Sequence, residues 1–308
     1  MSGPADTQVM PMGDEAIAEA ARLILSGEPV AVPTETVYGL AADATNPQAV
    51  ARIYAAKGRP AFNPLIVHVP DLRGAEQIGR FNDRARELAV RHWPGPLTLV
   101  VPLRADSGVA SIVTAGLPTI AVRVPAHPVM QALLKACGKP LAAPSANASG
   151  LISPTRASHV LASLGGRIPL VIDGGATQRG IESTIIAATD GTLRLLRRGP
   201  IEVDAPEVRK PTAVEAPGQL ASHYAPRKPL RLDAVAAEAE EYFIGFGPIA
   251  GDVSLSESGD PVEAAARLFD LLHQADAAPQ PRIAIAPVPG DGIAAAIRDR
   301  LKRAAAPR

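Results

Sequence analysis

The sequence predicts an α/β fold: an open, twisted sheet of mixed strand direction with helices on it, then a small C-terminal α/β unit with Rossmann-like alternation. Three observations predict it. Apolar runs of strand length alternate with amphipathic runs of helix length. Asp190-Gly191 between two apolar runs signals an antiparallel hairpin among strands otherwise joined by crossovers, so the sheet is mixed. Pro206, Pro211, Pro217, Pro226 and Pro229 interrupt every regular pattern between the two units.

In chain order, residues 1–12 read as a loose tail. Asp14 caps a helix running through Ser26, with Ile17, Ala21 and Ile24 on one face and Gly27 as the stop. Val30-Ala31-Val32 is a short strand ending at Pro33. Asn46-Pro47 is a cap followed by a first-turn proline, and Gly58 ends that helix. Leu65 to Val69 is a buried strand, and Asn82 opens a helix that stops before Pro94-Gly95-Pro96. Leu97 to Leu103 and Thr119 to Val124 are strands, Pro128 to Ala136 a helix stopped by Gly138, and Leu141 to Ala143 a further strand. Thr155 to Leu164 is helical, Leu170 to Ile172 a strand, and Ser183 to Leu196 the hairpin. Residues 13–205 thus form one domain, 206–229 a linker and 230–308 a second domain. In the latter, Leu230 to Leu232, Tyr242 to Phe246 and Ile283 to Ala286 are strands, and Pro261 to Gln274 and Gly292 to Ala304 helices.

Composition removes several function classes. With 31 basic and 31 acidic residues in 308, the chain has no bulk attraction to nucleic acid. Its 47% hydrophobic content supports a sizeable core. No apolar run reaches the length of a membrane span, and the N-terminus shows no secretory signal, so a cytoplasmic location is expected. Cys137 is the single cysteine, which excludes an internal disulfide or a cysteine-built metal cluster. The P-loop, the dinucleotide fingerprint, the zincin motif and the nucleophile elbow are all missing.

Five polar blocks remain, each embedded in a turn beside a strand: Pro33-Thr34-Glu35-Thr36-Val37-Tyr38-Gly39-Leu40; Lys57-Gly58-Arg59-Pro60 with Asn63-Pro64-Leu65 and His68; Thr119 to Pro125 with Arg123 inside an apolar strand; Ala143-Pro144-Ser145-Ala146-Asn147-Ala148-Ser149-Gly150; and Glu182-Ser183-Thr184 with Arg197-Arg198-Gly199-Pro200. Lys57, Arg59, Arg123 and Arg197 supply local positive charge. Ser, Thr and Asn supply short directional hydrogen bonds, and glycines let backbone N–H groups approach phosphate. Each block also has a plain reading. Lys57 and Arg59 suit the negative end of a helix, Ser145 and Asn147 form turns, and a lone mid-strand His68 is more often a core residue. Their joint occurrence points to a site for several small anions. The neighbours of Arg123 do not alternate, which favours a partly buried guanidinium facing a carboxylate.

These blocks resemble the YrdC-like family. Ala216-Pro217-Gly218 with His223-Tyr224-Ala225-Pro226 resembles the linker of its two-domain branch. Ala264-Ala265-x-x-Leu268-Phe269 and Gly292-x-x-x-Ala296-Ile297-x-Asp299-Arg300-Leu301 resemble that branch's C-terminal domain. The similarity runs from about residue 14 onward. It implies a YrdC-like fold and L-threonylcarbamoyladenylate synthase activity, a nucleotidyl transfer. L-Threonine, bicarbonate or CO2, and ATP give threonylcarbamoyl-AMP and pyrophosphate, the first step of threonylcarbamoyladenosine formation in tRNA. Mg2+ is expected with ATP, a tRNA-modifying transferase complex downstream, and at most a weak direct contact with tRNA. By resemblance, Thr36, His68, Arg123 and Ser183 hold threonine, and Lys57 and Arg59 are catalytic, facing triphosphate and bicarbonate. Arg59, Asn63, Thr119, Ala143, Ser145, Ser153, Arg197 and Tyr224 contact ATP, Asn147 supports its loop, and no protein metal ligand is expected. Tyr224 is expected to fold over the cavity and exclude water. The linker departs from the family pattern at Gly218-Gln219-Leu220-Ala221-Ser222. The alternatives are an RNA-binding YrdC-like module without synthase activity, which 3% aromatic content disfavours, a carbamoyl-transfer domain of hydrogenase maturation, which one cysteine disfavours, and a regulatory nucleotide sensor.

Overall fold

The computed structural model describes residues 6–60, 62–208, 214–218 and 222–307. Two sheets organise them. The first contains β1 (Gln8–Pro11), β2 (Val30–Val32), β3 (Gly39–Asp43), β4 (Ile66–His68), β5 (Leu97–Pro102), β6 (Thr119–Arg123), β7 (Leu141–Ala142), β8 (Leu170–Asp173), β9 (Thr184–Ala187) and β10 (Arg194–Arg197). Their order is β1-β8-β2-β3-β7-β4-β6-β5-β9-β10. β4 runs parallel to β6, whereas β5/β6, β3/β7 and β9/β10 are antiparallel, so the sheet is mixed. Its helices are α1 (Asp14–Leu25), α2 (Pro47–Lys57), α3 (Leu72–Ile78), α4 (Asp83–His92), α5 (Ser111–Thr114), α6 (Pro128–Cys137) and α7 (Ala157–Leu164).

The second sheet is wholly parallel, in the order β11-β14-β12-β13, from β11 (Leu230–Arg231), β12 (Glu241–Gly245), β13 (Val253–Ser254) and β14 (Arg282–Ile285). α8 (Pro261–Ala277) and α9 (Ile293–Ala304) pack on it. The core here also takes in Val37, Ile152 and Ile181 from the first unit and Tyr224 from the segment between the units. The two units therefore share an apolar interface beside the polar blocks.

Local chemistry explains the element ends. The Asn46 side chain accepts from the N–H groups of Gln48 and Ala49, Pro47 opens α2, and Gly58 closes it in the left-handed conformation. Asn82 caps α4 and Asp260 caps α8 in the same way. Gly138 adopts a left-handed conformation after α6.

Four local expectations are corrected. Within the expected loose tail, residues 8–11 form β1, pairing in parallel with β8, and residues 1–5 lie outside the described residues. Gly13, not Asp14, takes the cap position of α1, so Asp14 and Glu15 instead place negative charge in the first turn. α7 starts at Ala157, two residues later than expected, after the extended Arg156. The β9–β10 pair is antiparallel, but Ala187 pairs with Arg194. A longer loop therefore joins them in place of a two-residue turn, with Asp190 spent on capping Thr192. β3, β13, α3 and α5 were not foreseen. Gln219, Leu220 and Ala221, where the linker departs from the family pattern, lie outside the described residues, as does Pro211.

Candidate active site

Ile66, Val100, Ala121, Ile185 and Leu196 form a small apolar patch that Ala216 of the connecting segment covers. At its edge a cavity of about 540 Å3, part of it open to solvent, gathers the ends of the polar blocks. Thr34, Thr36 and Val37 come from the β2–β3 loop. His68 and Arg123 come from neighbouring positions on β4 and β6. Ala143, Pro144 and Ser145 follow β7. Glu182 and Ser183 precede β9, and Arg197 ends β10. Pro217, Gly218, His223 and Tyr224 form the remaining wall, and Arg59 enters after α2. Backbone pairing fixes the loops: Leu40 N–H donates to Pro144 O, Ala146 N–H to Tyr38 O, and Ala143 N–H to Ile66 O.

Arg123 faces a carboxylate, as its setting in an apolar strand implied, and that carboxylate is Glu35. The guanidinium donates to Glu35 Oε1 at 2.6 Å, to Thr36 Oγ1 at 3.0 Å and to Gly95 O at 3.3 Å. Both partners are buried. Burial works to raise the Glu35 carboxyl, but Arg123 outweighs it and holds the group below its ordinary value. Thr34 and Thr36 share a 2.9 Å hydroxyl contact beside this pair. Burial, with the Arg123 charge adding to it, pushes His68 down to about 3, so the ring is neutral and its Nδ1 has no partner among the described residues. Ser183 Oγ meets Thr98 Oγ1 at 2.7 Å and accepts from Arg197.

At the other end, three buried cations have no carboxylate within ion-pair distance among the described residues. Arg59 donates to the carbonyls of Asn63 (3.2 Å) and Pro64 (2.9 Å). Arg197 donates to Ser183 O, Ser183 Oγ and Pro217 O. Lys57 donates to the carbonyls of Ser145 and Asn147. Burial lowers Arg59 to about 10, and Arg197 pushes the same way; burial likewise lowers Arg197 and takes Lys57 well below its ordinary value. Buried cations held by carbonyl and hydroxyl dipoles in place of a carboxylate are left without a neutralising charge. Of the nine buried side-chain polar atoms without a partner among the described residues, His68 Nδ1, His223 Nδ1 and the Tyr224 hydroxyl belong to residues that line this cavity, while Glu35 Oε2 and both ends of the Asn63 amide belong to residues bonded to its lining arginines, Arg123 and Arg59. Such atoms concentrate where a ligand completes the hydrogen bonding.

Of the residues singled out from sequence, Thr36, Arg59, His68, Arg123, Ala143, Ser145, Ser183, Arg197 and Tyr224 line the cavity. Lys57 lies behind the wall, under the Ser145–Asn147 loop, because the end of α2 directs its ammonium into that ring of carbonyls. Asn147 also lies behind it, donating to Leu151 O at 2.8 Å. Asn63 is fully buried beside Arg59. Ser153 donates to Glu182 Oε1 at 2.5 Å instead of lining the cavity. Thr119 sits at the opposite end of β6 from Arg123, paired with Pro102, and is off the lining. Glu35 and Glu182 were inside the quoted blocks without a role, and Arg300 was outside them. The signal for Arg300 was its place on the apolar stripe of α9, with Ile297, Leu301 and Ala304.

The fold and this cavity define an α/β protein with a cavity lined by buried arginines and hydroxyls under a connecting segment. The chain belongs to the Sua5/YciO/YrdC family, whose model, described as "Telomere recombination", matches residues 22–199. A second model, described as "Threonylcarbamoyl-AMP synthase, C-terminal domain", matches residues 177–306. The chain is 40% identical to the threonylcarbamoyl-AMP synthase of Bacillus subtilis over 98% of its own length and 96% of that protein's. It is 34% identical to Pyrococcus abyssi Sua5 in complex with L-threonine, with a TM-score of 0.88, covering 98% of this chain and 97% of that one. Escherichia coli YciO, at 22% identity and a TM-score of 0.57 over 64% of this chain, shares the fold of the first unit.

Proposed function

We propose that the chain is a nucleotidyl-transferring enzyme that joins L-threonine, bicarbonate or CO2, and ATP into threonylcarbamoyl-AMP with release of pyrophosphate. One observation carries this reading: Arg59 and Arg197, two buried cations with no carboxylate in ion-pair distance among the described residues, line the same cavity as a separate zwitterion-matching corner made by Thr36, Ser183 and Arg123, with Glu35 behind Arg123. An amino acid fits the corner and a polyphosphate fits the cations.

The chemistry follows from that division. Arg123 keeps two N–H groups beyond those given to Glu35, Thr36 and Gly95. They suit the threonine carboxylate, while the Thr36 and Ser183 hydroxyls suit its side chain. The threonine amine attacks the carbon: with CO2 it forms the N–C bond and releases a proton to solvent, and with bicarbonate a C–O bond also breaks and water leaves, either way giving a carbamate. A carbamate oxygen then attacks the α-phosphate of ATP, and the bond to the β-phosphate bridging oxygen breaks as pyrophosphate leaves. No protein nucleophile is needed; Cys137 lies buried in α6, its thiol pushed up to about 11 by burial. Arg59 and Arg197 stabilise charge developing on the phosphates, and Lys57 stiffens the Ser145–Asn147 loop against them. His223 and Tyr224 exclude water from a product that hydrolyses readily. The cavity offers Mg2+ no carboxylate cage: both oxygens of Glu182, the carboxylate on the wall, are engaged by Ser153 and Arg300. The residues present do not fit a protein-held Mg2+, whose ligands would be phosphates and water. The product would pass to a tRNA-modifying transferase complex in the cytoplasm.

The test is mass spectrometry of the protein with ATP, Mg2+, L-threonine and bicarbonate, without RNA. The expected result is threonylcarbamoyl-AMP and threonine-dependent pyrophosphate. ATP loss that ignores threonine, or no turnover, would overturn the proposal; tight RNA binding without product would favour the binding-module reading.

A further inference from the structure

One charged side chain of the C-terminal unit is driven completely into the first unit at the cavity wall. Arg300 on α9 is 1% exposed. Its Nε donates to Glu182 Oε2 at 2.7 Å and its Nη2 to Glu182 O at 3.1 Å. Its Nη1 donates to Arg198 O at 3.0 Å and to Ala296 O at 3.1 Å on its own helix. A single guanidinium thus grips both the side chain and the backbone of Glu182 and ties them to the residue after Arg197. Its central carbon also stands 5.7 Å from the centre of the Tyr224 ring, within cation–π range.

The neighbours of these anchor points are the residues that face the cavity. Ser183 follows Glu182, and its carbonyl and hydroxyl hold Arg197. The other Glu182 oxygen is taken by Ser153, whose own carbonyl is met by His273 Nε2 on α8 at 3.2 Å. Gly199 lets the strands close: a Cβ there would come within 2.4 Å of Thr184 N and 2.7 Å of Ser183 C. The Ser183–Arg197 arrangement is therefore braced from behind by the C-terminal unit.

We propose that Arg300 is a positioning residue for the reaction: through Glu182 and Tyr224 it sets the placement of Ser183, Arg197 and the covering segment, making the C-terminal unit part of the active-site wall. The inference rests on the functional reading above and extends it to a residue that touches no substrate. A planar fork is required, because the four acceptors lie in different directions and a point charge does not reach them together.

The experiment uses the full chain. Arg300→Gln and Arg300→Lys are compared with the parent and with Lys302→Gln, an exposed change on the same helix. Threonine affinity is measured by calorimetry, and kcat/KM for threonine by pyrophosphate release, at a temperature where thermal unfolding shows each protein folded. Arg300→Gln is expected to lower kcat/KM by about 100-fold, the scale of an ångström-level misplacement. Arg300→Lys is expected to fold and fall between, about tenfold below the parent, and Lys302→Gln to match the parent. If Arg300→Gln does not fold, Arg300→Lys decides. A folded variant with threonine affinity and kcat/KM within twofold of the parent overturns the proposal, since a merely structural role moves only the unfolding temperature. A parent that forms no product overturns the functional reading itself; a parent that does, beside variants that equal it, overturns this inference alone.

Discussion

Replacing Arg59 by Met separates binding from stability, because the same burial that makes the guanidinium useful to an anion makes it costly without one. Burial takes its pKa from 12.5 to about 10. At about 1.4 kcal/mol per pH unit, that corresponds to roughly 3 kcal/mol of penalty on the folded, ligand-free protein at pH 7. The sign is that of a base depressed by folding: the penalty is present at all pH values below about 10 and is relieved as pH rises from there towards 12.5. The substitution removes the penalty and two hydrogen bonds. Asn63 O keeps a donor in the Tyr54 hydroxyl, at 3.0 Å, so of the two carbonyls Pro64 O loses its bond from Arg59. One unpaired buried carbonyl costs about 1–3 kcal/mol. The two effects nearly cancel, so the ligand-free Arg59→Met protein should unfold within a few degrees of the parent or above it. ATP binding, by contrast, should lose a charge-assisted pair of about 1.5–3 kcal/mol, roughly 10- to 150-fold in affinity. Thermal unfolding with and without ATP, together with calorimetric titration, reads both quantities. A variant that is destabilised by more than about 3 kcal/mol yet binds ATP as the parent does would refute the view that Arg59 is a cation awaiting a phosphate.

Further outcomes follow from the same geometry. Arg123→Ala should abolish threonine-dependent pyrophosphate release and cost about 3–5 kcal/mol, because Glu35 is left buried and unpaired; the double variant with Glu35→Gln should regain much of the stability in urea titrations but none of the threonine dependence. His68, His223 and His273 are each held at about 3 by burial, against an ordinary 6.5. The unfolded chain therefore binds more protons between those values, and stability should fall as pH drops from 6.5, by up to about 4 kcal/mol per pH unit for the three together. Urea midpoints that stay level from pH 7 to pH 5 would contradict this. Gly199→Ala should cost about 1–3 kcal/mol through overpacking against Thr184 and Ser183, measured as a lowered unfolding midpoint.

The sheet's central strands were legible because each is a short apolar run bounded by a turn or cap, as at Val30–Val32 and Leu97–Pro102. β3 was hidden because Gly39-Leu40-Ala41-Ala42 continues the polar block without a break, and small residues carry little strand signal. β1 was hidden because its four residues are mostly exposed and depend on β8 for their pairing. At the site, sequence exposed the cations and hydroxyls but not their partners. That Arg123 meets Glu35, 88 residues away in sequence, is a consequence of the β4–β6 pairing and the β2–β3 loop. Arg300 was legible only as an anomaly, a guanidinium on the buried stripe of an otherwise apolar helix face.

Zero net charge and a cationic cavity are compatible because they are set at different depths. Most ion pairs, such as Arg22–Glu19 and Arg104–Asp106, lie on the surface, where water screens them and each contributes little. Buried charge is distributed differently. Arg123 and Arg300 are matched by Glu35 and Glu182, whereas among the described residues Lys57, Arg59 and Arg197 meet only carbonyls and hydroxyls. The matched pairs fix the walls, and Arg59 and Arg197 leave a local excess of positive charge at the cavity. An anion entering there meets donors already oriented, so little reorganisation accompanies its binding. The matched pairs also explain why the two units belong to one machine. One pair lies within the first unit; the other crosses from α9 to the residue preceding Ser183, so the wall on that side is complete only when the C-terminal unit is in place.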